Sequence, residues 1–186
     1  MRTRFGGLSV AAALISAIGI MSAFAASASA ASTTCTGNSG TIKLSPGLSQ
    51  SLHVQNITIK GTLSGCSGAE SSVTGAKYVA QLKTVGPVSC SALTGAGAAE
   101  EEAKIVIKWS PSGQGNSMGT FSMPLTEVPG VSLGGTLASG PFSGGSIAGT
   151  VSQTFTGGAT CGVAEGKKKA KKVNKGTFTG SAVTIS

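Results

Sequence analysis

Apolar and polar positions alternate with a period of two along Val54–Cys66. Ile57, Ile59 and Leu63 fall on odd positions with Gly61 between them, and Asn56, Thr58, Lys60, Thr62 and Ser64 fall on even ones. That period puts one set of side chains in a core and the other in water, as in a β-strand with one buried face. The pattern recurs along the chain. Thr41–Leu44 reads as a short first strand, turned by Ser45-Pro46-Gly47-Leu48, where proline presets one turn angle and glycine accepts a positive one. Val54–Ser64 follows as its antiparallel partner. Lys77–Thr84 sets Tyr78, Ala80 and Leu82 against Gln81 and Lys83 and stops at Gly86-Pro87. Val88–Leu93 reads as a strand carrying Cys90, and Thr94–Ala103 as a single helical turn.

Lys104–Trp109 is the clearest strand of the second half, with Ile105, Ile107 and Trp109 on one face. Pro111–Gly119 is a polar loop. Thr120–Val128 alternates Phe121, Met123 and Leu125 against Thr120, Ser122 and Thr126, and Pro124 within it predicts an edge or a bulge. Val131–Leu137, Gly145–Phe155 and Gly176–Ile185 complete the set. In the last, the apolar phase moves from Phe178 to Val183 and Ile185 across Gly180, which predicts a bulge. The in-phase positions predict an interior built from Ile57, Ile59, Leu63, Ile105, Ile107, Trp109, Phe121, Leu125, Ile147, Val151 and Val183. No amphipathic helical pattern accompanies them. The expected fold is all-β, an antiparallel β-sandwich or β-barrel of about 8–10 short strands with Gly/Pro/Ser turns.

The first thirty residues break this pattern. Arg2 and Arg4 precede an uncharged run from Gly6 to Phe24, and Ala25–Ala30 offers Ala-x-Ala cleavage sites. We read residues 1–30 as a secretory signal peptide and 31–186 as a single all-β domain, secreted or held in the cell envelope. Export sets the reading of Cys35, Cys66, Cys90 and Cys161. An even number of cysteines in an exported chain predicts two disulfides, with three possible pairings. Cys35–Cys66 with Cys90–Cys161 is the expected one. The first bridge closes a local pair of strands and the second ties a middle strand to a late one. A zinc site lacks the ligands: there is no Cys-x-x-Cys and a single histidine.

The framework of Cys35, Pro46-Gly47-Leu48, Gly61-Thr62-Leu63-Ser64-Gly65-Cys66, Cys90, Lys104-Ile105-Val106-Ile107-Lys108-Trp109, Cys161-Gly162 and Gly176-Thr177-Phe178-Thr179-Gly180 resembles the small exported β-rich proteins of unknown function found in actinomycetes. The resemblance spans residues 31–186. It implies export and an all-β fold, and it supplies no catalytic residue.

Charge adds one feature. The formal net charge is +8, two units of which are Arg2 and Arg4. Lys167, Lys168, Lys169, Lys171, Lys172 and Lys175 lie in one short run between Cys161 and the last strand, and the remaining six lysines balance six glutamates. The high isoelectric point is thus expected to come from a local basic loop, drawn to anionic polymers or anionic membrane surfaces. No aromatic residue is interleaved with the run, so neither base stacking nor sequence-specific nucleic acid recognition is expected.

Other chemistry finds little support. His53 lacks a nucleophile elbow around it, and residues 31–186 contain no Asp. Glu100, Glu101 and Glu102 are consecutive and do not converge on one ion. Glu70 and Glu127 are isolated carboxylates with nothing to pair them for glycoside hydrolysis. Trp109, Tyr78 and Phe121 fit core positions better than a sugar platform. Asn56-Ile57-Thr58 matches the N-glycosylation pattern within a strand. The expectation is therefore a non-catalytic exported binding module with no metal and no cofactor. The alternative is a small barrel that carries an apolar ligand inside.

Overall fold

The computed structural model describes residues 32–68, 72–95, 103–163 and 171–186. The expected signal peptide, the core of the Thr94–Ala103 segment, and Lys167, Lys168 and Lys169 lie outside those residues. Eight strands run β1 (Thr33–Leu48), β2 (Asn56–Gly68), β3 (Gly75–Lys83), β4 (Ala103–Ser110), β5 (Asn116–Ser122), β6 (Val131–Ser139), β7 (Ser146–Phe155) and β8 (Val173–Ile185). Every neighbouring pair is antiparallel, and β8 returns to pair with β1. The all-β expectation thus resolves to a barrel, and closure removes the exposed edges that a sandwich would have to protect.

The alternation places the side chains as expected. All eleven residues predicted to face the interior are buried. Lysine, serine and threonine fill the outward positions of the same strands. An apolar inside and a polar outside is the reverse of a barrel that spans lipid.

Large and small side chains interlock in the interior. Gly40 and Gly61 stand opposite one another on β1 and β2. A Cβ on Gly61 would run into the Tyr78 ring, and one on Gly40 into Phe178 and the β2 backbone. The two glycines therefore form the bare floor on which those rings lie. Tyr78 sits 6.3 Å from Phe121 and 6.4 Å from Phe178, centroid to centroid. At one end of the barrel Phe142 folds over Trp109 at 4.7 Å, and the indole N–H donates to Ser117 Oγ at 2.9 Å. Each end also carries a disulfide. Cys35–Cys66 joins β1 to β2 at the Trp109 end, and Cys90–Cys161 joins two connections at the other.

Several local expectations are corrected. Ser45–Leu48 does not turn the chain, because β1 continues to Leu48. Pro46 and Gly47 (φ 93°) sit within a register shift against β8 between Lys43 and Leu48. The strand expected at Val88–Leu93 is a 3-10 turn over Cys90–Leu93, and only Val88 bridges, to His53. The strand expected at Thr120–Val128 stops at Ser122. The loop expected at Pro111–Gly119 yields its last residues, Asn116–Gly119, to β5. Pro124 lies just past that strand, its carbonyl accepting from Gln153 Nε2, and the β5 register shift falls at Met118/Gly119 instead. Three strands outrun the expected short lengths, β1 with 16 residues and β2 and β8 with 13 each.

The bulge expected near Gly180 is present as a register shift between β7 and β8. It belongs to a larger event. The buried side changes from Ile42 and Asn38 to Cys35 on β1, from Leu63 to Cys66 on β2, and from Phe178 to Val183 on β8. Three adjacent strands switch phase together, and Gly65 in the left-handed region (φ 59°) allows it on β2.

Candidate polyanion-binding face

The lysines of the described residues gather on one side of the barrel. Lys43 lies on β1, Lys60 on β2, Lys77 and Lys83 on β3, Lys104 and Lys108 on β4 and Lys175 on β8, all exposed. Lys171 and Lys172 lead into β8 and are exposed as well. The strands β5, β6 and β7 carry no lysine. Strand order explains the asymmetry: β8, β1, β2, β3 and β4 are consecutive around the wall. Each lysine takes an outward position because the positions beside it in sequence are occupied by core residues such as Ile42, Ile59 and Ile105.

The register arranges these side chains in rows that cross the strands. Lys104 stands opposite Gln81, Gln81 opposite Thr58, Thr58 opposite Lys43, and Lys43 opposite Lys175. Nearer the Trp109 end, Lys77 stands opposite Lys108. Lys60 lies in the row between, opposite Thr41 and Val79. Lys43/Lys175 and Lys77/Lys108 are like charges directly opposed on a sheet, an arrangement that costs stability. A hollow of about 390 Å³ lies over β2–β4, lined by Asn56, Thr58, Gln81, Lys83 and Lys104 among others. Among the described residues, its polar lining is ammonium, amide and hydroxyl.

Part of the expected basic loop is joined to this wall. Lys175 is within β8 and Lys171 is anchored at the chain's return, its carbonyl accepting from Gly162 N–H at 3.0 Å. The Cys90–Cys161 bridge fixes the same connection. Lys43, Lys60, Lys77, Lys83, Lys104 and Lys108 were not expected to join a site. Each sits on the polar phase of a strand legible in the sequence, but their convergence depends on which strands are neighbours. Among the described residues lysines stand on the wall as well as at the edge of the expected loop, and Glu127 is the one acid among those described.

The other candidate residues take structural places. His53 uses its backbone, donating N–H to Val88 O at 3.1 Å and accepting from Val88 N–H at 2.9 Å. Glu127 Oε1 accepts the Phe155 N–H at 2.7 Å, and its carboxylate packs against Gly158. It clasps two connections at the Cys90–Cys161 end. Trp109, Tyr78 and Phe121 are interior. No group of three or more His, Cys, Asp or Glu side chains capable of holding a metal ion occurs among the described residues. Inside the barrel, the cavity beside Asn38, Tyr78 and Phe121 measures about 10 Å³, room for roughly one water.

No family model matches the chain, and no curated protein or solved structure matches it.

Proposed function

We propose that this chain is an exported, non-catalytic binding module that holds anionic polymers through the basic side of its barrel, including the Lys167–Lys175 run. This accords with its resemblance to exported β-rich actinomycete proteins. Two disulfides are consistent with an oxidising environment, and secretion or attachment to the envelope would supply one. The observation that carries the reading is the one-sided distribution of lysine around the wall. A face of one sign concentrates counter-charged ligands near it, and the effect reaches about 8–10 Å at physiological salt. The interior favours this reading over that of an apolar-ligand carrier. A cavity of about 10 Å³ is far below the roughly 300–1,000 Å³ of small-molecule sites.

The test is binding of heparin, nucleic acid and anionic vesicles to the mature chain and to a variant with Lys167, Lys168, Lys169, Lys171, Lys172 and Lys175 changed to Gln. The parent should bind at low salt and lose binding steeply as salt rises, and the variant should bind more weakly while melting at the same temperature. Equal binding by the two would reduce the loop to a solubilising tip.

A further inference from the structure

The outer wall carries a track that the loop does not account for. We infer that an acidic polysaccharide lies across the strands along the row Lys104–Gln81–Thr58–Lys43–Lys175, entering at the hollow between Lys83 and Lys104. This rests on the polyanion reading above and narrows it to a place and a class of ligand.

The row is continuous in register from β4 to β8, with one outward side chain on each of five adjacent strands. Neighbouring strands are about 4.8 Å apart, so the row runs for nearly 20 Å, enough for several repeating units. Every side chain in it donates hydrogen bonds: three ammonium groups, one amide and one hydroxyl. Ammonium groups pair with carboxylate or sulfate, while Gln81, Thr58 and the nearby Asn56 suit sugar hydroxyls. The hollow gives the track a starting point with Lys83 and Lys104 on its rim. The opposed Lys43 and Lys175 repel one another, and an anion placed between them would turn that cost into two attractive contacts.

The same face argues against the other polyanions. Every aromatic residue among those described is buried, so no ring is offered to a nucleic acid base. The row contains no apolar side chain to enter a bilayer, and its wall is the convex outside of a barrel.

The experiment uses the disulfide-bonded mature chain with three lysine variants, each checked for fold by its thermal midpoint. The row variant is K43Q/K104Q/K175Q. The off-row variant, K60Q/K77Q/K108Q, removes the same charge from the same wall. The loop variant is K167Q/K168Q/K169Q. Affinity is measured by titration with heparin, polygalacturonate, single-stranded DNA and anionic vesicles at low salt. The row variant should lose at least about tenfold in affinity for heparin and polygalacturonate, with the off-row variant affected much less. Gln81→Glu, which puts a carboxylate in the middle of the row, should weaken both again. Preference between heparin and polygalacturonate tells whether sulfate or carboxylate is the group recognised. Equal losses in the row and off-row variants would overturn the track while leaving the basic-face reading standing. Loss confined to the loop variant would overturn the track in favour of the loop. Tighter binding of DNA or vesicles than of either polysaccharide would overturn the ligand class. A parent that binds none of the four would overturn the track and the reading beneath it.

Discussion

Tyr78 on β3 donates its hydroxyl to Asn38 Oδ1 on β1 at 2.8 Å, reaching across the strand between them over Gly61. The bond joins two buried polar groups among the apolar side chains Phe121 and Phe178. Burial pushes the Tyr78 hydroxyl above its ordinary range.

A pH dependence follows. The unfolded chain releases the tyrosine proton near the ordinary value of about 10, and the folded chain holds it to higher pH. Above pH ~10 the unfolded state therefore binds fewer protons than the native one, and stability falls as pH rises. The contribution is present in full below that pH. Because Tyr78 is the only tyrosine, tyrosinate absorbance reports it alone. The folded chain should show no tyrosinate at pH ~10.5, where the unfolded chain is mostly ionised. Tyr78→Phe should remove this alkaline loss and cost about 1–2 kcal/mol at neutral pH through the unpaired Asn38 oxygen. Ordinary titration of the folded chain near 10 would refute the buried bond.

Gly61→Ala should destabilise the barrel by about 1–3 kcal/mol, since its methyl would occupy the space of the Tyr78 ring. The same substitution in a Tyr78→Ala background should cost much less. The difference between the two, read from denaturant unfolding, is the coupling of the pair. Additive effects would mean that the ring lies elsewhere.

Ile107→Ala should cost about 2–5 kcal/mol, because Ile107 is almost wholly enclosed on β4. Trp109 is the only tryptophan and is buried two residues along, so its emission follows the transition. A loss well under 1 kcal/mol would misplace the strand phase.

Peptide mapping without reduction should recover Cys35 with Cys66 and Cys90 with Cys161, and no thiol should label. Replacing either pair with alanine should cost about 3–4 kcal/mol, more for Cys90–Cys161, which spans the longer stretch of chain. A cross-linked Cys35–Cys90 peptide would contradict the barrel's ends as described.

Some of this architecture is written locally and some is not. The strand Lys104–Trp109 was legible because Ile105, Ile107 and Trp109 keep one phase without interruption. The first half of β1 was not. Its inward positions are Thr33, Cys35, Asn38 and Gly40, which carry no apolar signal. They suit the interior only because Tyr78 supplies a partner for Asn38 and Phe178 occupies the space above Gly40. The 3-10 turn at Cys90–Leu93 was hidden for a related reason. Its apolar residues matched a strand, but the Cys90–Cys161 bridge and the Leu93 carbonyl, which accepts from Glu127 N–H at 2.8 Å, hold it at the end of the barrel.

By itself the sequence determined which side of each clear strand faces inward, because a period of two is set by the geometry of one extended chain. It also determined, through their even number, that all four cysteines can pair within the chain. Only the tertiary structure decided between sandwich and barrel. That choice rests on Thr33 meeting Ile185 across the whole length of the domain, a contact no local pattern encodes. The basic wall was decided at the same level. A sum of charges has no direction, and Lys43, Lys104 and Lys175 come to share a row only when closure makes β8, β1, β2, β3 and β4 neighbours.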